Sequence, residues 1–295
     1  MCAIVEQAAL LQRQWETDPR WAGITRDYSA LDVIRLRGRD ARDYGLARRG
    51  VRRLWERLRD QDGAPLLGAV VGDRASLAAG AGPDPVYLAD DSSDAAGDAF
   101  GVMTEMIDAG AAGVVFGDLL ATDRSAGHPA EKALVPTRHH IGTLNAARLA
   151  ADVLGVPALI IARTGAHAAS RLTSAIDPRD HEFLTGGRTA DGYHQVEPGW
   201  YACVTRQLEY APYADLLWLE TPAPDLDLAR AFACIIHSQY PDKLLAYSCP
   251  RPATEPGHDS AASIAQFQRE LAALGYRFQS ATPAAYAAPA VPAYA

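Results

Sequence analysis

Six short apolar runs in this chain stop at residues able to do chemistry: Asp90 and Asp91, Asp118, Arg163-Thr164, Glu220-Thr221, Ser248 and Thr282. An acidic stretch, Asp90–Asp98, follows one of them, and His128 lies in a polar segment between two others. Carboxylates are hard-oxygen ligands, so Asp90, Asp91, Asp94, Asp98 and Asp118 are candidates for a magnesium site. The competing account is a solvated acidic loop with Asp118 capping a helix. An arginine such as Arg163 grips a carboxylate with two parallel hydrogen bonds. The same guanidinium can instead pair with Glu220 and serve structure alone. His128 is the side chain suited to proton transfer near neutral pH, or else a solvated loop histidine.

These residues need elements to carry them. The runs are Leu66–Val71, Val86–Ala89, Gly113–Phe116, Ala158–Ala162, Leu216–Leu219, Leu244–Tyr247 and Tyr276–Ser280, all continuous enough for strands buried on both faces. Segments of helical period separate them, among them Thr143–Val153, Asp225–His237 and Ala262–Leu274. Strands alternating with helices imply parallel βαβ units. Polar groups gathered where strands end are the pattern of a (β/α) barrel, whose active site sits at that face. Seven runs, where such a barrel has eight strands, point to an α/β TIM-type barrel incomplete by one βα unit. The boundaries follow: a helical N-terminal segment over 1–62, the barrel over 63–282 and a loose Ala/Pro-rich tail over 283–295. Within the first segment, Ser29-Ala30-Leu31-Asp32 has the form of a capping box, and Leu46, Val51, Leu54 and Leu58 recur at helical spacing.

The 295 residues suit either two average domains or one barrel. At 48% hydrophobic and 22% charged they have ample material for a core, which excludes disorder as the dominant state. A formal charge of −8 is the wrong sign for a general nucleic-acid binder. No run approaches the ~18 apolar residues of a membrane span, and the first residues lack the order of a signal peptide. The cytosol (cytoplasm) is the expected compartment. Cys2, Cys203, Cys234 and Cys249 are scattered, so neither a disulfide framework nor a zinc site is expected, and Cys203 and Cys234 fall on helical stripes as core residues. His139-His140 fits the first turn of a helix, pointing to different faces.

The segment Ile160-Ile161-Ala162-Arg163-Thr164, followed by Ser174–His181 (SAIDPRDH), resembles isocitrate lyase. So, in order, do residues 15–28 (WETDPRWAGITRDY), 134–153 (LVPTRHHIGTLNAARLAADV), 210–221 (YAPYADLLWLET), 244–249 (LLAYSC) and 264–279 (IAQFQRELAALGYRFQ). The resemblance spans most of residues 10–282. It implies a (β/α) barrel in which a divalent metal, Mg2+ or Mn2+, holds a small 2-hydroxy or 2-oxo carboxylic acid. The implied reaction is carbon–carbon cleavage in retro-aldol fashion, isocitrate giving glyoxylate and succinate. Arg163 and His128 take catalytic positions; Arg163, Glu220, Ser248 and Thr282 take substrate positions; Asp90, Asp98 and Asp118 take metal positions.

Several implied groups are missing. The family signature Lys-Lys-Cys-Gly-His aligns with Arg124-Ser125-Ala126-Gly127-His128, and the methyl of Ala126 cannot donate the proton that the cysteine gives. The family's Glu-Asp is Gly117-Asp118, its Asn-Cys-Ser-Pro-Ser is Ser248-Cys249-Pro250-Arg251-Pro252, and its Asp-Ala-Glu is Gly165-Ala166-His167. Several tens of residues between the family's second and third strands are absent, so either Asp90 or Asp98 aligns with a metal-binding aspartate. Isocitrate cleavage is therefore expected to be impaired. The alternative is an inactive family member that binds a ligand or a partner subunit. Homo-oligomerisation, or association with a full-length family member, is the expected protein contact.

Overall fold

The computed structural model describes residues 2–37, 43–60, 66–68, 70–71, 88–91, 98–121, 132–221, 224–248 and 261–280. Three helices lead: α1 (Cys2–Thr17), α2 (Ala30–Leu36) and α3 (Gly45–Arg59). The capping box at α2 is formed in both directions, with Ser29 Oγ accepting from the Asp32 amide and Asp32 from the Ser29 amide. In α3 the stripe Ala47, Val51, Leu54 and Leu58 is buried, whereas Leu46 is exposed.

The strands are β1 (Leu66–Gly68), β2 (Val70–Val71), β3 (Leu88–Asp91), β4 (Gly113–Gly117), β5 (Leu119–Ala121), β6 (Lys132–Leu134), β7 (Leu159–Arg163), β8 (Arg171–Leu172), β9 (Leu184–Arg188), β10 (His194–Val196), β11 (Leu216–Glu220), β12 (Leu244–Ser248) and β13 (Tyr276–Ser280). Helices α4 (Ala99–Asp108), α5 (Thr137–Leu154), α6 (Trp200–Tyr210), α7 (Leu226–Gln239) and α8 (Ala261–Ala273) complete the described regular elements, with 3-10 turns at Pro19–Trp21 and Pro178–Phe183.

One parallel sheet runs β1-β13-β12-β11-β7-β4-β3-β2. Its two ends belong to one stretch of chain. Leu66–Gly68 pairs with β13, and Val70–Val71, one residue further on, pairs with β3. The sheet therefore closes on itself as a ring of seven strand segments among the described residues, one for each apolar run, a closure the runs themselves left open. A second sheet, β5-β6-β8-β10-β9, is built from the connections that follow β4 and β7. Its strands are two to five residues long and carry no alternating pattern, so the sequence gives no notice of them.

Alternate strand residues share a face. Tyr247 lies edge-on to Phe267 of α8, and the Tyr276 hydroxyl donates to Ala229 O of α7, so their parity faces the helices. The opposite face, with Val115, Ile161 and Trp218, fills the ring, and a register shift between Leu245 and Ala246 brings Phe278 onto that inner face although Tyr276, two residues earlier, faces the helices. Among the described residues, no helix is long and apolar enough to cross a membrane. Cys203 is buried as expected, but Cys234 is exposed, because the apolar stripe of α7 runs through Ala229, Phe232, Ala233 and Ile236 instead.

The N-terminal segment is held to the barrel by charge. Asp215, just before β11, accepts from Arg148 of α5, from Arg20 and from the Ile160 amide. Arg20 in turn stacks on Trp21 and Trp55, at 4.6 and 4.1 Å from the ring centroids. Asp152 of α5 accepts from Arg26 and Tyr28. Burial alone would raise the Asp215 carboxyl, but Arg148 and Arg20 outweigh it and hold it well below the usual range. The stabilisation this gives is complete above the ordinary carboxylate pKa of ~3.9 and is lost as pH falls through the depressed value. Asp215→Ala strands two buried guanidiniums and is expected to cost about 3–5 kcal/mol in urea unfolding at neutral pH. A loss under about 0.5 kcal/mol, the size expected of an ordinary surface change, would contradict this role.

Candidate active site at the strand ends

Register brings the sequence-singled residues to one rim. Gly117 lies opposite Arg163, Arg163 opposite Trp218, and Glu220 opposite Ser248. Because Trp218 and Glu220 are two apart, Arg163, Glu220 and Ser248 share the inward face at the C-terminal ends of neighbouring strands. Arg163 Nη1 stands 4.0 Å from Glu220 Oε2, with side chains 30% and 45% exposed. At that separation and exposure the pair is worth under about 1 kcal/mol, so a ligand carboxylate can compete for the guanidinium. A Cβ at Gly117 would lie 3.7 Å from Arg163 Nη2, so the place of the family's glutamate is directly beside this guanidinium.

Below the rim, the Trp218 indole N–H donates to Ser248 Oγ at 2.7 Å. Sequence reasoning passed over this tryptophan, since an aromatic residue inside a buried strand looks like core.

Asp118 does a different job from the one expected of a metal ligand. It is fully buried, and four donors take up its carboxylate: Thr164 Oγ1 (2.6 Å), the Gly165 amide (2.8 Å), Arg206 Nη1 (2.9 Å) and the Tyr210 hydroxyl (3.0 Å). Burial pushes its carboxyl up, and Arg206, His140 and these hydrogen bonds bring it below the ordinary value. Arg206 also donates to Asp180 and Val135 O, and Asp180 accepts from both the amide and the hydroxyl of Thr137. Three of the donors share Oδ2 and the Gly165 amide takes Oδ1, so the network turns the carboxylate toward protein groups. The signal for Arg206 was present: an arginine among the buried positions Cys203, Val204 and Gln207 of α6.

Asp98 is likewise redirected. It is exposed and caps α4, accepting from the Gly101 amide at 2.9 Å. Asp90 lies in β3 opposite Val115. His128, Ala126 and Thr282 lie outside the described residues. Among the described residues, no three His, Cys, Asp or Glu side chains come together as a metal group. With Asp118 engaged by four protein donors, Asp98 capping α4 and glycine at 117, these three positions do not fit the expected magnesium site. The lost acid at 165 also has a structural counterpart: a Cβ at Gly165 would lie 2.3 Å from the Leu119 side chain, which fills that space.

A (β/α) barrel with a guanidinium, a carboxylate and a hydroxyl at its mouth defines the class: a barrel scaffold of the kind that carries its active site at the strand ends. A sequence profile of the isocitrate lyase family matches residues 85–189 and 186–293. The isocitrate lyase of Escherichia coli K12 is 39% identical over 94% of this chain and 80% of its own. That of Corynebacterium efficiens is 38% identical over 94% and 79%. The chain belongs to the isocitrate lyase family, a family of lyases. The fold agrees with solved structures of oxaloacetate acetylhydrolase bound to 3,3-difluorooxalacetate (TM-score 0.51, 16% identity, 79% of each chain) and of 2,3-dimethylmalate lyase (TM-score 0.51, 17% identity, 80% and 79%). The Corynebacterium alignment has 341 positions; 94% of 295 residues is about 277, leaving about 64 positions to the relative alone. That gap is of the size expected from the missing stretch between the second and third strands.

His140, on the first turn of α5, is fully buried and lies edge-on to Tyr210 at 4.6 Å, while His139 is exposed. Burial outweighs the pull of Asp118 and brings His140 down to about 4. An unfolded histidine titrates near 6.5, so the neutral ring stabilises the fold fully above that pH. The contribution is lost as pH falls through about 4. Over that interval it amounts to about 3 kcal/mol, and His140→Phe is expected to remove this part of the pH dependence. Urea midpoints for both proteins at about pH 7 and about pH 4.5 measure it; parallel declines would contradict it.

Proposed function

We propose that the protein is a carbon–carbon lyase of isocitrate lyase type that has turned from isocitrate toward a smaller 2-hydroxy or 2-oxo carboxylic acid. The observation that carries this is the shared rim position of Arg163, Glu220 and Ser248. A guanidinium and a hydroxyl donate to a ligand carboxylate, while Glu220 accepts from the ligand's own hydroxyl. Family membership supports the reaction class.

Two absences support the change of substrate. Retro-aldol cleavage needs an acid to protonate the departing carbanion, and Ala126 offers none. Loss of a general acid typically costs 10²–10⁴-fold in rate. The prolines at 250 and 252 also remove two hydroxyls from the succinate side, where a large substrate needs them. In this family the divalent ion, magnesium or manganese, polarises the oxygen of the glyoxylate-forming end. Asp90 is its remaining sequence candidate in this chain, and the residues named above act without any step assigned to the metal. A bound homologue or second copy is the protein partner this reading allows, and the cytosol is its expected compartment.

In a coupled assay with magnesium, glyoxylate release from isocitrate is expected to be at least about 10²-fold slower than for a family member with an intact signature. Calorimetry with malate is expected to detect binding that Arg163→Gln weakens by about tenfold or more. Rapid glyoxylate release would overturn the proposal. Absence of binding by any small hydroxy or oxo acid would leave the partner-subunit alternative in its place.

A further inference from the structure

The rim hydroxyl of Ser248 is not free to turn. Its oxygen accepts the Trp218 indole N–H at 2.7 Å. Trp218 itself is 3% exposed and packs at 5.5 Å against the Phe278 ring inside the barrel. Its register neighbour on β12 is Ala246, and a methyl at that position leaves the indole room to pass across the strand toward Ser248. The indole is therefore held by packing on one side and aims a fixed donor at the oxygen two residues further along β12.

A serine hydroxyl has one proton to give and two lone pairs to receive with. Once an indole N–H occupies the oxygen, the hydroxyl's proton is best directed away from that donor. An indole N–H can only donate, so it never competes for that proton. We propose that Trp218 is a positioning residue that fixes Ser248 as a hydrogen-bond donor at the rim, and so selects an ionised ligand oxygen there over a ligand O–H. The inference rests on the acid-binding reading above and adds to it the residue that sets the polarity of one subsite. Arg163, opposite Trp218 on the neighbouring strand, gives the adjacent subsite the same donor character. Glu220, opposite Ser248, is the acceptor of the set. The ligand class that satisfies all three carries a carboxylate next to a hydroxyl.

The test is a double-mutant cycle read in two ways. Trp218→Phe keeps an aromatic ring against Phe278 and removes the N–H together with the second ring of the indole, while Ser248→Ala removes the hydroxyl. Without ligand, the Trp218 indole resonance in a ¹H–¹⁵N spectrum, assigned by its loss in Trp218→Phe, is expected to shift in Ser248→Ala. With malate and magnesium, each single variant is expected to bind about tenfold more weakly, and the double variant no more weakly than Ser248→Ala. A merely structural tryptophan would give additive losses and an unmoved resonance, and either result overturns the proposal. Ser248→Thr, which restores a hydroxyl, is expected to recover most of the affinity only while Trp218 is present; equal recovery in Trp218→Phe also overturns it. A shifted resonance with no binding of malate to the wild-type protein would refute the acid-binding reading, and the ligand half of this proposal with it, while leaving the indole–hydroxyl contact established.

Discussion

The barrel mouth depends on one buried ion pair, Asp118 with Arg206. A carboxylate taken wholly out of water is tolerable only when its lone pairs are met by good donors. Here Thr164, Gly165, Arg206 and Tyr210 meet them, and Arg206 is satisfied in turn by Asp180 and Val135 O. The consequence is mechanical. The residue after β4, the turn after β7, the inner side of α6 and the Pro178–Phe183 turn all meet at one charge. Arg163 is the residue directly before Thr164, so its backbone is fixed by the same network. Removing Arg206 would leave two buried carboxylates, Asp118 and Asp180, without the cation they share.

That network also separates what the site keeps from what it gave up. The buried scaffold beneath the strand ends is intact, while the groups that would face a metal or a proton-hungry carbanion are changed. Glycine stands at 117 and 165, alanine at 126, and proline at 250 and 252. At 165 the change is built into the packing, with Leu119 occupying the space beside the glycine. The cation, the acceptor and one hydroxyl remain on neighbouring strands. These changes are the basis of our proposal that the site takes a smaller acid than isocitrate.

Much of this was legible from the chain, and the reason is periodicity. Continuous apolar runs such as Leu216–Leu219 and Leu244–Tyr247, set between segments of helical period, fit strands covered on both faces, and the polar residues that follow them mark the rim. Ring closure was not legible, because it turns on Leu66–Gly68 and Val70–Val71 bonding to different neighbours from one run. The second sheet was missed because strands as short as Arg171–Leu172 have no period to detect. Asp118 was read as a metal ligand since a carboxylate at a strand end looks the same whether it faces a cation or four internal donors, and Asp98 because the resemblance allowed it as a metal-binding aspartate, whereas it caps α4. Trp218 was silent because burial is the ordinary fate of an aromatic residue in a strand, and only the geometry reveals where its N–H points.

A crystal structure of the protein soaked with magnesium and malate tests the central claim most directly. The account predicts a carboxylate of malate bridging Arg163 and Ser248, its hydroxyl on Glu220, and Asp118 still enclosed by its four donors. Malate bound away from this rim, or Asp118 released from Arg206 to ligate the metal, would contradict it.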